Sequence, residues 1–155
     1  IIFLGVTLSG VIEIFPMIND YKLEMKDRPK YDAVEWVARH TRPEAIFISS
    51  NGFFNPAALA GRKLYCGYSY HPWSMGYPIY QREQTVLQLF SPDAKKAAIC
   101  QVLRQVGIDY VLIGPGKGDW PERLDAQKSD FIQNWQPAYV SKEDVKIYNV
   151  ADQCR

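Results

Sequence analysis

The sequence predicts an α/β fold: a mainly parallel sheet flanked by helices, with room for an antiparallel edge at the C-terminal end, preceded by the end of a transmembrane helix. Two observations predict this class. Short apolar runs rich in β-branched and aromatic residues alternate along the chain with longer segments of helical periodicity. The first twelve residues are uncharged and mostly apolar, which is typical of a segment surrounded by lipid.

The apolar start, residues 1–12, is interpreted as the closing turns of a membrane-spanning helix. Twelve residues rise about 18 Å as a helix, short of the roughly 30 Å hydrocarbon core, so more of the span is expected upstream. A buried first strand or helix of a soluble domain explains the run equally well. The expected organisation is the end of a transmembrane helix at 1–18, a polar connector at 19–30 and a soluble α/β domain at 31–155.

Three longer helices are predicted inside the domain. Residues 31–41 place apolar positions at helical spacing, and Pro43 ends that helix. Residues 77–90 are helical in pattern over their second half. The Ser-Pro-Asp sequence at 91–93 combines a capping hydroxyl, a proline for the first helical position and a carboxylate near the positive helix end, so a helix is predicted from there to Gly107.

Strands are predicted where short apolar runs lack helical spacing, and the last two are expected to form a closing pair. These runs occupy residues 45–49, 63–66, 109–114, 138–141 and 145–150. Between the first two runs, Asn55 and Pro56 are expected to cap and open a short helix. Another short helix is predicted at 129–135.

Composition restricts the partners of this domain. The 18 basic and 17 acidic residues leave a net charge of +1 without a basic cluster, so nucleic acid is not an expected partner. Two histidines and three distant cysteines give no metal-ligand spacing, so neither a metal nor a cofactor is expected in this segment. Cys66 and Cys100 are interpreted as small buried residues and Cys154 as exposed, while one disulfide stays open.

The glycine-rich loop at 114–118 follows a predicted strand, as a phosphate-binding loop does. A phosphate-binding P-loop requires Ser or Thr after its lysine and a helix start, whereas Lys117 is followed by glycine and aspartate. A glycine-rich turn is therefore the favoured interpretation. No GxSxG sequence is present, and His40 is interpreted as neutralising a helix C-terminus.

The aromatic segment at 65–80 (YCGYSYHPWSMGYPIY) is the most unusual part of the sequence. Six of its sixteen residues are aromatic, against 14% in the whole chain. Tyr and Trp combine an apolar ring with a polar tip, which suits a lipid headgroup zone or a protein interface. A long loop whose rings cover the sheet is an equal alternative. The candidate substrate- or partner-binding residues are the polar and aromatic side chains in and beside this segment: Arg62, Tyr68, His71, Trp73, Tyr77, Arg82 and Glu83.

Several blocks of the sequence, taken in order, carry a family resemblance. They are LSGVIEIFP at 8–16, EWVARHTRPEAIFISS at 35–50, LAGRKLYCGY at 59–68, WSMGY at 73–77 with Arg-Glu at 82–83, VGIDYVLIGP at 106–115 and VKIYNV at 145–150. In this succession the chain resembles the extracytoplasmic C-terminal domain of polytopic GT-C membrane glycosyltransferases, which are similar to the protein O-mannosyltransferases. His40 and Arg42 depart from the family pattern, which more often has Asn and Pro there.

The resemblance implies a parent enzyme that uses sugar carried on polyprenyl phosphate. Its catalytic acid is expected on an external loop near the first membrane helices, so no catalytic residue is expected in this chain, and the chain alone is expected to be inactive. The implied partners are the protein's own transmembrane domain, the bilayer surface, and a lipid-linked sugar or acceptor. The implied location is the membrane, with the soluble domain on the extracytoplasmic side.

Two other functions stay open at this point. A soluble α/β module would bind a nucleotide or sugar phosphate at the glycine loop and would show ligand-dependent melting. A membrane-anchored accessory subunit would use the apolar start as its anchor and the aromatic segment as its docking surface, and it would have no transferase activity.

Overall fold

A computed structural model describes residues 28–49, 55–68, 70–114 and 133–155 of the 155-residue chain. Within these ranges helices and strands alternate. In chain order the elements are α1 (Arg28–His40), β1 (Ile46–Ser49), α2 (Pro56–Leu59), β2 (Lys63–Leu64), α3 (Tyr70–Ser74), α4 (Tyr80–Leu89), α5 (Lys96–Val106), β3 (Tyr110–Ile113), β4 (Tyr139–Val140), β5 (Lys146–Asn149) and α6 (Val150–Gln153).

The described strands form one mixed sheet in the order β2-β1-β3-β5-β4. Strand β1 is parallel to β2 and β3, whereas β5 is antiparallel to β3 and β4. The α/β class and the antiparallel C-terminal edge are therefore present, but a mainly parallel sheet is not, because the four pairings divide evenly. The short connection at 141–145 accounts for part of this difference, since a connection of this length joins antiparallel strands only.

Helices cover both faces of the sheet, and successive strand residues serve opposite faces. Phe47 packs with α1 and α2, while the neighbouring Ile48 packs with α4 and α5, and both are almost fully buried. The same alternation separates Ile147 from Tyr148 in β5. This two-sided burial explains why the strands are apolar runs without a polar face, as predicted.

The predicted helix and strand positions are largely confirmed. Helix α1 begins three residues before the predicted start, with Pro29 in its first turn, where the missing amide hydrogen costs no hydrogen bond. Asn55 caps α2, its Oδ1 accepting from the amide of Ala57 at 2.9 Å. Gly107 ends α5 with a left-handed φ of 73°. The helix predicted at 129–135 lies mostly outside the described residues.

The predicted start of α5 at Ser-Pro-Asp is wrong. Residues 91–94 form a turn, in which the amide of Ala94 donates to the carbonyl of Ser91 at 3.1 Å. Lys95 is then extended, with a ψ of 140°, and the helix starts at Lys96. Serine, proline and aspartate also favour β-turns in this order, and the turn is the conformation that the chain adopts.

A disulfide joins α5 to the end of the chain. Cys100 and Cys154 are bonded, with their Cα atoms 5.4 Å apart. The predicted exposure of Cys154 is therefore wrong, since only 4% of this residue is accessible. The polar residues around Cys154 suggested exposure, but α6 brings it onto α5, where it packs in the core beside Val150.

The predicted transmembrane segment at 1–18 and the connector up to residue 27 lie outside the described residues. Among the helices that the structure does describe, none combines the length and the apolar character needed to cross a membrane.

Candidate functional site

Five exposed apolar side chains lie close together in sequence on α3, the following turn and the start of α4. We call this group the aromatic surface, and it consists of Tyr70, Trp73, Met75, Tyr77 and Tyr80, which are 59%, 64%, 74%, 64% and 69% exposed. Among the described residues, the other large exposed apolar side chains are Leu59 and Val140. Four of the six rings of the aromatic segment therefore point to solvent rather than covering the sheet. Exposed apolar patches of this kind mark interaction sites.

Local hydrogen bonds give the segment its shape. The Ser74 hydroxyl donates to the carbonyl of His71 at 2.8 Å, within the single turn of α3. Gly76 has a φ of 80°, and the amide of Tyr77 donates to the carbonyl of Pro72 at 2.9 Å. A left-handed residue followed by this backward bond reverses the chain after α3. The reversal places Tyr77 between α3 and α4.

Ring contacts link the first half of the aromatic segment. The imidazole of His71 meets the Tyr68 ring edge-on, with the ring centroids 5.5 Å apart. Tyr70 lies 5.9 Å from Trp73 and 6.3 Å from Tyr68, again between centroids. Such pairs stabilise the arrangement of the rings beyond simple area burial. Tyr70 and Trp73 of the aromatic surface are therefore in contact with each other, and Tyr70 also contacts the half-buried Tyr68.

A cavity of about 440 Å³ lies at the carboxyl end of β2, beside the aromatic surface. We call it the β2-edge cavity. It is lined by one strand end and by the chain reversal between α3 and α4: Leu64, Tyr65, Cys66, Gly67, Pro72, Tyr77, Pro78, Ile79 and Arg82. Open α/β sheets bind ligands outside the carboxyl ends of their strands, chiefly where the strand order reverses, and this cavity lies at the same end of the sheet but beside the edge strand β2. Its volume falls within the usual range of small-molecule sites.

Arg82 supplies the positive charge of this cavity. Its Nη1 donates to the carbonyl of Tyr65 at 3.1 Å, and its guanidinium carbon lies 5.5 Å from the centroid of the Tyr65 ring. The ring face attracts the cation, and the carbonyl fixes its orientation. A guanidinium has five N–H donors, so the side chain is positioned while most of its donors stay available to a ligand.

The structure gathers most of the predicted site residues. Tyr68, His71, Trp73, Tyr77, Arg82 and Glu83 all lie between β2 and the first turn of α4. Of these, Tyr77 and Arg82 line the β2-edge cavity, and Trp73 lies on the aromatic surface. The prediction missed Tyr65 as a site residue. Its membership of the aromatic segment was the available signal, but nothing in the sequence showed that Arg82 stacks on it.

Arg62 is placed elsewhere and has a structural role. It precedes β2, and its guanidinium donates to the carbonyls of Ala60 at 2.8 Å, Ala38 at 2.9 Å and Thr41 at 3.0 Å. Its Nε donates to the Thr41 hydroxyl at 2.9 Å. A cation among the terminal carbonyls of α1 and α2 satisfies groups that have no partner inside the helices. Arg62 therefore joins two helix ends and does not line the cavity.

The Asp32 side chain links α1 to the β4–β5 connection by hydrogen bonds. Helix α1 lies on the opposite face of the sheet from α4. The carboxylate of Asp32 accepts from the amide of Lys142 at 2.9 Å and from the amide of Ala33 at 2.8 Å. Burial favours the neutral acid, but these bonds, a hydrogen bond from Tyr139 and the charge of Lys142 together lower the pKa of Asp32. Burial, and then the hydrogen bond to Asp32, raise the pKa of Tyr139. This contact is structural and far in sequence from the aromatic segment.

A second cavity, of about 560 Å³, lies at the other end of the parallel strands and includes Arg42, Arg104, Asp109 and Arg155 in its lining. Arg42 pairs with Asp109 at 3.1 Å, and Asp109 also accepts from the amide of Ile46 at 2.9 Å. Arg155 pairs with an aspartate in its own turn. Two of the three arginines are therefore already engaged by carboxylates.

Within the part of the chain that the structure describes, no cluster of three or more His, Cys, Asp or Glu side chains could hold a metal ion. Comparison of the sequence with models of protein families finds no match, and no curated protein is significantly similar to it.

Proposed function

We propose that this domain is a non-catalytic, extracytoplasmic part of an integral membrane glycosyltransferase that uses sugar linked to polyprenyl phosphate. The domain covers the transmembrane part of the enzyme from outside and contacts it, or the lipid headgroups around it, through the aromatic surface. The observation that carries the proposal is the exposure of Tyr70, Trp73, Tyr77 and Tyr80 on one short segment. The transferase class itself rests on the sequence resemblance.

The side-chain chemistry of the aromatic surface supports a partner whose surface is partly apolar and partly hydrated. Tyrosine and tryptophan concentrate where an apolar phase meets water, both at membrane interfaces and at the centres of protein interfaces. The flanking Arg82 adds a cation suited to a lipid phosphate. Leaving five large apolar side chains in water is unfavourable for an isolated domain, and contact with a partner removes that cost.

The disulfide supports the extracytoplasmic location. Disulfides persist in oxidising compartments and are rare where glutathione and thioredoxin keep thiols reduced. The Cys100–Cys154 bond lies in the core and joins residues 54 positions apart. Because the bond is buried, it forms as the domain folds. Folding therefore needs an oxidising compartment, which supports a location outside the cytoplasm.

The test is sugar transfer in membranes that contain the intact protein. The double variant Trp73→Ala/Tyr80→Ala removes two rings that lie outside the cavity lining. Release of labelled sugar from its polyprenyl-phosphate carrier is expected to fall about tenfold or more, because small misplacements of a covering domain cost large factors in rate. The matched control, Leu59→Ala/Val140→Ala, removes the two large exposed apolar side chains that the described residues carry outside the aromatic surface, and it is expected to leave transfer unchanged.

Two outcomes contradict the proposal. Equal transfer by the aromatic-surface variant and its control would remove the role of this surface. Absence of transfer by the wild-type protein, together with stable association with another membrane protein, would instead assign the domain to an accessory subunit.

A further inference from the structure

We propose that the β2-edge cavity binds a hexose that carries a phosphate, with the sugar ring against Tyr77 and the phosphate on Arg82, which the Tyr65 ring and carbonyl hold in place. This inference deepens the proposed function and rests on it for the source of the sugar. It concerns the cavity, which shares Tyr77 with the aromatic surface, whereas the docking role above is tested at Trp73 and Tyr80, which lie outside the cavity lining.

The walls of the cavity suit a pyranose ring. Tyr65, Pro72, Tyr77, Pro78 and Ile79 present flat or apolar surfaces around about 440 Å³ of space. One face of a pyranose carries C–H groups, which pack on the electron-rich face of an aromatic ring. The hydroxyl groups of the sugar point away from this face, towards water or backbone polar groups. The cavity is open enough for a sugar that stays attached to a longer molecule, since Tyr77 is 64% exposed.

The fixed cation determines which sugar is favoured. Arg82 uses one N–H for the Tyr65 carbonyl, at 3.1 Å, and stacks on the Tyr65 ring. The remaining donors can form paired hydrogen bonds with two phosphate oxygens, the geometry in which arginine binds phosphate most strongly. Among the cavity-lining residues no carboxylate competes for this guanidinium, in contrast to Arg42 in the second cavity. A neutral sugar has no anionic group to pair with the Arg82 guanidinium.

The cavity also lies where a lipid-borne sugar would arrive. Tyr77 belongs to both the cavity lining and the aromatic surface, so the mouth of the cavity borders the surface proposed to face the membrane. A sugar phosphate reaches this position either from solution or on a prenyl chain. The chemistry that recognises it is the same in both cases.

Binding of defined probes to the purified 155-residue chain tests the inference, with calorimetry and saturation-transfer NMR in a detergent that has no sugar head group. Glucose 1-phosphate and mannose 1-phosphate are expected to bind at least about tenfold more tightly than the methyl glycosides or inorganic phosphate. A hexose linked through phosphate to a short prenyl chain forms a further arm. Tighter binding of that probe assigns the site to a lipid-linked sugar, and equal binding assigns it to the sugar phosphate alone; both support the inference.

Cavity variants locate the binding. Arg82→Gln is expected to weaken hexose 1-phosphate binding about tenfold and to leave methyl glycoside binding unchanged, because only the phosphate contact is lost. Tyr77→Ala is expected to weaken both classes of probe about fivefold. Since Tyr77 is exposed, this variant keeps the inference testable even if Arg82→Gln disturbs folding. The matched control is Val140→Ala, which removes an exposed apolar side chain on β4, at the opposite edge of the sheet from β2, and should bind all probes as the wild type does.

Several results would overturn the inference: no detectable binding of hexose 1-phosphates, equal binding of inorganic phosphate, or affinities unchanged in both cavity variants. The proposed function is judged separately by the transfer assay. If the aromatic-surface variant loses transfer while no sugar phosphate binds, the docking role holds and the cavity assignment fails. If sugar phosphates bind but transfer is insensitive to the aromatic surface, the cavity assignment holds and the docking role fails.

Discussion

Replacement of Cys154 with serine is expected to lower the free energy of unfolding by about 4 kcal/mol. The disulfide joins positions separated by 54 residues, so its loss greatly increases the freedom of the unfolded chain. The sulfur atoms also lie in the core, where the variant leaves an unpaired Cys100 and a buried hydroxyl. Urea denaturation of the wild type and variant in oxidising buffer measures the difference.

Further cysteine variants separate the bond from the side chains. Because the bond is already lost in either single variant, the double variant Cys100→Ser/Cys154→Ser should be little less stable than Cys154→Ser alone. Treating the wild type with dithiothreitol should produce a similar loss. An unfolding midpoint that is the same for the wild type and Cys154→Ser under oxidising conditions would show that the bond does not stabilise the fold.

Replacement of Arg62 with methionine is expected to cost about 3 kcal/mol of unfolding free energy. Methionine keeps much of the apolar stem but removes the donors that reach the carbonyls of Ala38, Thr41 and Ala60. These carbonyls belong to helix ends and are partly withdrawn from water, so water replaces the lost bonds incompletely. Thermal and urea unfolding monitored by circular dichroism measures the change.

Two controls test whether the forked geometry of Arg62 matters. Arg62→Lys keeps the charge but offers one compact ammonium group, so it should recover less than half of the loss. Arg42→Met removes another arginine near the end of α1, whose side chain is 75% exposed in its pair with Asp109, and should cost no more than about 1 kcal/mol. Equal losses for Arg62→Met and Arg42→Met would contradict the proposed joining of helix ends.

The regular elements could be predicted because their signals are local. The apolar runs of β1 and β3 and the spacing along α1 and α5 reflect burial on two sides of a sheet or on one side of a helix. Asn55 before Pro56 signals a helix start in any context, and the structure uses it so. The Ser-Pro-Asp sequence is compatible with a helix start and with a β-turn. The sequence favoured the helix start, whereas the chain forms the turn.

Long-range features could not be predicted in the same way. The position of β5 between β3 and β4 depends on which sheet edge the end of the chain reaches, and no short pattern encodes that choice. The pairing of Cys100 with Cys154 depends on α6 packing against α5. Arg62 looked like a site residue because it borders the aromatic segment in sequence, yet β2 separates it from that segment in the fold.

The candidate site could be predicted from the sequence only in part. A concentration of Tyr and Trp in one segment predicted an interaction surface, and the exposure of four rings agrees with that interpretation. Which side chains line a common cavity depends on the chain reversal at Gly76 and on the stacking of Arg82 over Tyr65. Only the folded chain brings Tyr65, Tyr77 and Arg82 together.

The oxidation state of the cysteines in the cell tests the proposal that this domain folds and functions outside the cytoplasm. Cells are quenched in acid, their thiols are blocked, and newly reduced thiols are then labelled with a maleimide large enough to shift the protein on a gel. Cys100 and Cys154 are expected to become labelled only after reduction, and the Cys100→Ser variant is expected to lose this reduction-dependent label. Blocking of both thiols before any reduction would place the folded domain in a reducing compartment and exclude the proposed location.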